Sequence, residues 1–325
     1  MNRRVLVTGA TGFIGSKLVS ALLAEEYDVT VLVRASKSAS RYSWRNLVNL
    51  IEADLTNDLS LMSAVKSESF STVLHLAAVV RRISRRISKD EYFKVNVMGT
   101  YNICQLCVSK GAKRMVFLST ADVHGSIPRN RTPINENYPY CPTDAYSTTK
   151  TMAEKLVMRF WQEKGLNAII LRPTHVYGPN DPGFIPKMFE LVRYLPSVPI
   201  IGDGRTLKHF VYIDDLTNLM LNAIDSKVSG RAYLVADDTP LTISDFLRLL
   251  CEAQSVKRSF IRIPLAENIA NILKSFPENI GYPISWFYSN HAYDAGLAKR
   301  ELDFRPRTKI DDGLRNVYNS LFHQD

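Results

Sequence analysis

Val5-Leu6-Val7-Thr8-Gly9-Ala10-Thr11-Gly12-Phe13-Ile14-Gly15-Ser16-Lys17 is an apolar run that breaks into three glycines spaced by three and then becomes helical. Val5 to Thr8 is almost continuously apolar, as expected of a parallel strand buried on both faces. Ile14, Leu18, Leu22 and Leu23 then recur at helical spacing. A strand that ends in close glycines and opens a helix presents backbone N–H groups at the positive end of the helix dipole. A pyrophosphate binds there, and glycine lets the backbone approach it. The spacing is Gly9-x-x-Gly12-x-x-Gly15, and Thr11, Phe13 and Ile14 complete the expected cradle. Its position, after a strong strand and before a strong helix, is that of the first turn of a βαβ unit.

Further along, strands and helices keep alternating. Asp28–Val33 reads as a second strand, Leu47–Ile51 opens a third, and Thr72–Leu76, Met115–Ser119 and Ala168–Leu171 continue the series. Helices are expected near Asp58–Lys66, Asp90–Lys110 and Ala145–Lys164. This alternation predicts an α/β fold, a doubly wound parallel sheet of Rossmann type with right-handed crossovers. After Arg172 the stretch RPTHVYGPNDPGFIP is rich in proline and glycine and marks a turn-heavy excursion. A helix at Pro186–Tyr194, one beginning at Asp214 and a late strand at Ala232–Val235 follow. The expected organisation is a dinucleotide-binding domain of residues 1–178 and 206–236, with a smaller interleaved substrate lobe of residues 179–205 and 237–325.

Composition limits the classes. Of 325 residues, 46% are hydrophobic and 22% charged, ordinary for a globular protein, and no apolar run is long enough to span a membrane. MNRRVLVTG enters a strand without a secretory pattern, so a cytoplasmic location is expected. Four cysteines make no disulfide framework. Cys104 and Cys107 form a CxxC inside a helical stretch with no second pair nearby, and read as buried helix thiols; no metal site is expected. The net charge of +9 favours anionic ligands, but no nucleic-acid motif accompanies it. The densest basic run, Arg81-Arg82-Ile83-Ser84-Arg85-Arg86, reads as a solvated loop or helix face, or as a rim that attracts a phosphorylated substrate.

An acidic residue about twenty positions after the glycines would take the ribose hydroxyls of NAD. Here the second strand ends in Val33-Arg34, followed by Ala35-Ser36-Lys37-Ser38. A guanidinium grips a 2′-phosphate that a carboxylate would repel, so Arg34 favours NADP over NAD. Asp54-Leu55 follows the third strand and is placed to bracket an adenine, and Ala77-Ala78 gives close passage to the cofactor. His75 reads as a satisfied structural histidine. Tyr146-Ser147-Thr148-Thr149-Lys150 puts a phenol and an ammonium one helical turn apart. A phenol with a pKa near 10 needs such a neighbour to shuttle a proton at neutral pH. Thr120, or Ser119, ends the fifth strand, where it can hydrogen-bond a carbinol or carbonyl oxygen.

TGATGFIG, EADL, HLAA, KVNVMGTYNI, FLSTADVHG, YSTTK, LRPTHVYGP, FVYIDDL and KRELDFRP together resemble the extended short-chain dehydrogenases/reductases, the NAD(P)-dependent epimerase/dehydratase family, from about residue 4 to about 318. The resemblance implies Tyr146 and Lys150 as the catalytic pair and Thr120 as their hydroxyl partner, with Ser119 one place early. It implies Gly9, Gly12 and Gly15 as dinucleotide glycines, Asp54 and Leu55 as the adenine pocket, and Asn96 and Pro173 as further members of the cofactor region. It also implies a homodimer through helices near residues 92–110 and 145–163, and a small-molecule substrate, a nucleotide sugar first, met by Asn180, Arg205 and Lys208. Departures narrow the reaction. Thr120-Ala121-Asp122 lacks the first acid of the nucleotide-sugar 4,6-dehydratases, so 4,6-dehydration is not expected. Lys208 stands where sugar epimerases often carry an arginine, the second phosphate arginine is missing from ISWFYSNHAYD, and His124 replaces the usual tyrosine.

Three readings follow. The first is an epimerase or reductase acting on a carbinol or ketone carbon of a nucleotide sugar. The second is an NADPH-dependent ketone reductase resembling the dihydroflavonol-reductase and 3β-hydroxysteroid-dehydrogenase branches, its apolar pocket built from Leu265–Tyr288 (Ile269, Ile272, Leu273, Phe276, Trp286, Phe287). The third, of another class, is a non-catalytic sensor of NADP(H), a reading that the intact Tyr146–Lys150 pair opposes.

Overall fold

The computed structural model describes residues 3–81, 87–264, 286–287 and 289–323. The chain runs β1 (Arg4–Thr8), α1 (Phe13–Ala24), β2 (Asp28–Val33), β3 (Asn49–Glu52), α2 (Asp58–Ala64) and β4 (Thr72–His75). It continues through α3 (Lys89–Tyr92), α4 (Gly99–Ser109), β5 (Arg114–Leu118), α5 (Ala145–Lys164), β6 (Ala168–Pro173), β7 (His175–Tyr177), α6 (Phe184–Tyr194) and β8 (Ser197–Ile201). There follow β9 (Leu207–Lys208), β10 (Phe210–Tyr212), α7 (Ile213–Asp225), β11 (Arg231–Val235), β12 (Leu241–Thr242), α8 (Ile243–Ala253), β13 (Ser259–Ile263), α9 (Gly296–Glu301) and α10 (Ile310–Phe322).

Seven of these strands form one sheet in the order β11-β6-β5-β4-β1-β2-β3, with every neighbouring pair parallel. Successive side chains of a strand face opposite sides. Accordingly Val5 and Val7 pack with Leu216, Met220 and Ala223 of α7, whereas Leu6 packs with Ile103 of α4 and Val157 of α5. A third cluster, around Ile185, Phe189, Phe210, Phe246, Leu250, Trp286 and Leu314, forms the core of the smaller lobe. Tyr293, Ala298, Leu302 and Phe304 return to the sheet and pack with its first cluster.

The doubly wound sheet expected from the sequence is present, and its order reverses between β4 and β1. That reversal opens a crevice at the carboxyl ends of the strands, the place where such sheets bind ligands. Two local features differ from expectation. The helix expected over Asp90–Lys110 contains a π-helical turn, Phe93–Met98, between α3 and α4. The paired short strands β7/β10, β9/β12 and β8/β13 are not anticipated in the sequence, because two to five residues carry too little periodicity to reveal a strand. Arg82–Arg86 of the basic run, and Ile269, Ile272, Leu273 and Phe276 of the expected apolar pocket, lie outside the described residues.

Candidate active site

The glycine turn is built for close approach. Gly9 has φ +75°, and a Cβ there would lie 2.7 Å from the Ala77 nitrogen; one on Gly15 would lie 2.1 Å from the Gly9 carbonyl oxygen. The Gly12 N–H donates to that carbonyl at 2.9 Å, and Gly12 caps α1 without a side-chain hydrogen bond. The first-turn N–H groups are thus left to a ligand, and the cradle suits a pyrophosphate. The Tyr42 hydroxyl donates to the Thr11 carbonyl at 2.6 Å while its ring stacks on Trp44 at 4.8 Å, which fixes the turn from outside. The Phe13 and Ile14 side chains pack with the lobe core and the sheet core, which leaves only their backbone to the turn.

Arg34 is exposed one residue beyond β2, and Glu52, at the end of β3, accepts the Ser36 N–H at 2.8 Å on the same rim. Asp54 is exposed and accepts from the Thr56 N–H and hydroxyl, each at 2.8 Å, while the Leu55 carbonyl accepts from Asn102 at 2.9 Å. Ala77 donates its N–H to the Thr8 hydroxyl at 3.2 Å, Ala78 follows half-buried, and Pro173 closes β6 opposite Val235. His75 is fully buried between the hydroxyls of Thr8 (2.6 Å) and Thr100 (3.1 Å); burial first, and Lys150 second, push it down to about 3. It is a structural histidine, as expected. Asn96 supports the structure of the site, the role that the resemblance implies. The π turn points its amide at Val79, whose N–H it accepts at 2.8 Å and whose carbonyl it bonds at 3.0 Å, and it also donates to Thr149. With the side chain spent on protein, Asn96 shapes the loop after β4.

Thr120 caps a short 3₁₀ turn, Ala121–His124, its hydroxyl accepting the Asp122 N–H at 3.2 Å. Asp144 caps α5 in a reciprocal capping box with Ser147, fixing the first turn that carries Tyr146. One turn on, Lys150 is 2% exposed, donates to the Leu118 carbonyl at 2.7 Å and lies 4.1 Å above the Phe117 ring. Burial pulls its ammonium down to about 7, with Glu154 opposing. The tether to Leu118 sets α5 against the end of β5, two residues from Thr120. Burial also pushes the Tyr146 phenol well above its ordinary value, with Arg81 opposing.

Arg81 itself is not a solvated residue of the basic run. Its guanidinium lies 4.5 Å over the Tyr146 ring, and pairs with Asp144 at 2.5 Å and Asp122 at 2.6 Å. Burial works against the Asp122 carboxylate, but Arg81, His291 and His175 more than offset it and hold its pKa below the ordinary value. Burial pushes His175 down to about 4 and His291 to about 3. Phe184, Phe210 and Trp286 surround His175 with ring centroids 5.8, 5.8 and 6.3 Å away.

Lys208 corrects the substrate set. It is 1% exposed, donates to the carbonyls of Trp286 and Ser289, and lies 4.3 Å over the Trp286 ring. Its ammonium ties the lobe together and is not presented to a phosphate. Asn180 (φ +65°) and Arg205 lie on exposed turns. Behind the site, Glu154 accepts from Ser119, from Tyr140 at 2.8 Å and from Arg172 at 2.7–3.1 Å. The His124 Nδ1–H donates to the Pro139 carbonyl, so Nε2 accepts from Arg172 at 3.3 Å. Sequence reasoning missed Asp144, Glu154, Arg172, His175 and His291. Only Asp144, three residues before Ser147, carried a local signal, that of a helix cap. Cys104 and Cys107 are buried thiols, Cys104 pushed up to about 12 by burial.

The model of the NAD dependent epimerase/dehydratase family matches residues 5–236. The 3beta-hydroxysteroid-dehydrogenase/decarboxylase isoform 2 of Arabidopsis thaliana is 26% identical over 303 residues, which cover 85% of this chain; the chain spans only 52% of that protein's length. The sterol-4-alpha-carboxylate 3-dehydrogenase, decarboxylating, of Bos taurus is 26% identical over 345 residues, covering 99% of this chain and 93% of the bovine one. The UDP-glucose 4-epimerase of Thermotoga maritima, solved with UDP-glucose, superposes with a TM-score of 0.81 over 98% of both chains at 22% identity, a likeness of fold.

Proposed function

Because the chain belongs to the NAD dependent epimerase/dehydratase family of enzymes, we propose that it is an NADP(H)-dependent oxidoreductase acting at a hydroxyl- or oxo-bearing carbon of an apolar, ring-bearing substrate. The observation that carries this choice over a nucleotide sugar is Lys208: the cation expected at a diphosphate is buried on the carbonyls of Trp286 and Ser289. Beside it the half-buried Phe184 ring lies against the buried Trp286, which in turn packs on Phe210, and an exposed edge of such an aromatic cluster suits a flat apolar substrate. Steroid and sterol enzymes at 26% identity are in keeping with this class, and dTDP-D-glucose 4,6-dehydratases at 24–26% identity keep a nucleotide sugar as the second reading.

The backbone of Gly9 to Gly15 would hold the cofactor pyrophosphate, Asp54 and Leu55 would bracket the adenine, and Arg34 would take the 2′-phosphate that distinguishes NADP. When bound, the nicotinamide supplies or accepts hydride. Tyr146 holds or receives the proton of the substrate oxygen, and Thr120 donates a hydrogen bond to that oxygen. Lys150, fixed on Leu118, brings positive charge to the same end of the sheet. Exposed apolar residues Phe93, Met98, Tyr101 and Val108 on the α3–α4 helix and Met152 on α5 support a homodimer through these helices.

The test is a thermal-shift titration with NADP, NAD, UDP, dTDP and GDP, followed by a hydride-transfer assay on 3-oxo and 3-hydroxy steroids and 3-oxo acids. A ligand at a hundred times its Kd stabilises by about 2.7 kcal/mol, a melting shift of roughly 4 °C for a chain this long. The expected result is a larger shift with NADP than with NAD at equal concentration, none with nucleoside diphosphates on the NADP-saturated protein, and turnover of a keto substrate. A saturating shift with one nucleoside diphosphate would overturn the substrate class and install the nucleotide-sugar reading.

A further inference from the structure

Two cations reach the catalytic region from different elements, and they are not equivalent. Lys150 spends its ammonium on the Leu118 carbonyl and the Phe117 ring. Arg81, from the loop after β4, lies flat against the Tyr146 ring, its guanidinium carbon 4.5 Å from the centroid. Its side chain is 16% exposed and held from two sides, by the cap of α5 through Asp144 and by the turn after Thr120 through Asp122. Resting on the reading of Tyr146 as the proton shuttle, we propose that Arg81 is the positioning residue that supplies the fixed positive charge Tyr146 needs in order to release its proton.

The geometry supports this in three ways. A guanidinium keeps its charge at every accessible pH, whereas burial works against the Lys150 ammonium. The two carboxylates orient the guanidinium through Nε and Nη1 and leave its face to the phenol, an arrangement a lysine cannot reproduce in full. The same two bonds also tie the first turn of α5 to the turn that Thr120 caps, so the charge is held where α5 and that turn meet.

The groups that face Tyr146 are Arg81 from the β4 loop, Asp122 from the turn after β5, Asp144 from the cap of α5 and Tyr92 from α3; His175 and His291 are coupled to Asp122. Burial is the largest influence on the phenol and raises it, Arg81 lowers it, and Asp122, Asp144 and Tyr92 raise it. An opposite charge within 4–6 Å moves a pKa by about 1–3 units. Replacing Arg81 alone leaves both carboxylates in place, so the phenol should rise by about one unit or more.

The test incorporates 3-fluorotyrosine at position 146 of the full chain by amber suppression and follows its fluorine resonance against pH with NADP bound. Circular dichroism and NADP affinity serve as folding controls. Arg81→Met should raise the titration midpoint by about one unit or more. Asp122→Asn should lower it, and Arg81→Lys, which keeps charge without the fork, should leave it within half a unit of the parent. A midpoint in Arg81→Met within 0.3 units of the parent would overturn the inference. So would an equal shift in Arg81→Lys and Arg81→Met, which would make the effect one of packing, or a parent resonance that does not titrate below pH 11. Failure to turn over any keto substrate, with the fluorine shifts as expected, would refute the proposed reaction and leave the role of Arg81 standing.

Discussion

Replacing Glu154 with alanine removes the carboxylate on which β5, β6, α5 and the 138–140 loop converge. Ser119, Tyr140 and Arg172 all donate to it, and the pair it forms with Arg172 is 0% exposed on the glutamate side and 5% on the arginine side. Deleting one partner of such a pair strands the other charge in the interior, at a cost of about 3–5 kcal/mol. With an unfolding entropy near 2.1 cal/mol/K per residue, that lowers Tm by roughly 4–7 °C for a chain of this length. Arg172→Met should cost a similar amount, because it strands the carboxylate instead. The double replacement Glu154→Leu with Arg172→Met leaves no buried charge, so it should be less destabilising than the two single losses combined, with a coupling of about 2–3 kcal/mol. Calorimetry and urea titration of the four proteins at pH 7 without cofactor close the cycle. Single losses below about 1 kcal/mol, or losses that add to within 0.5 kcal/mol, would refute the view that this pair braces the floor of the site.

Gly15→Ala drives a Cβ to 2.1 Å from the Gly9 carbonyl oxygen and should weaken NADP binding by tenfold or more. Gly111→Ala, at φ +63° with nothing within 4 Å, should leave binding unchanged and cost about 1 kcal/mol of stability. Isothermal titration of both variants distinguishes cradle geometry from general strain. Lys208→Met should destabilise by about 1–3 kcal/mol, since two buried carbonyls lose their donor, and should leave NADP affinity within about twofold; a large loss of affinity would return Lys208 to the ligand site. His75 and His291 (about 3) and His175 and His209 (about 4) have folded-state values depressed by burial below the ordinary 6.5, so the unfolded chain takes up protons first on acidification. Asp181 (about 6) and Asp237 (about 8), raised by burial, hold protons in the folded chain and cancel about half of that uptake. Net stability should therefore fall by about 2–3 kcal/mol per pH unit between pH 6 and 5, and urea midpoints that stay level or rise over that interval would contradict the burial of these groups.

What the sequence disclosed was local. The strand–glycine–helix run of Val5 to Lys17, and a phenol and an ammonium four residues apart on α5, are patterns of neighbouring residues, and each stands where its pattern placed it. What stayed hidden was pairing at a distance. Arg81 meets Asp122 and Asp144 across separations of 41 and 63 residues, and Lys208 meets Trp286 across 78. A charged residue within a basic run looks solvated until the fold brings carboxylates to it, and a lysine at a phosphate-binding position looks available until the lobe closes over it. The π turn that spends Asn96 on Val79 is likewise set by tertiary contact, since helical periodicity alone runs straight through Phe93–Met98.

These distant pairings also separate the parts of the site by origin. Thr120, Tyr146 and Lys150 hang on β5 and α5, braced from behind by Glu154 and Arg172, so their mutual placement follows from the sheet. The aromatic wall and the buried Lys208 come instead from β7, α6, β9, β10 and the segment at Trp286, which belong to the lobe. Arg81 and Asp122 stand between the two sets, touching Tyr146 on one side and electrostatically coupled to His175 and His291 on the other. A change of charge in the lobe therefore reaches the phenol through Asp122 and, from His291, through Arg81. A substitution at the half-buried Phe184 should alter which substrate is accepted while leaving the Tyr146 titration in place. Neutral replacements of His175 or His291, whose imidazoles burial holds uncharged where a phenol titrates, should leave that titration in place as well, whereas loss of Arg81 or Asp122 should move it.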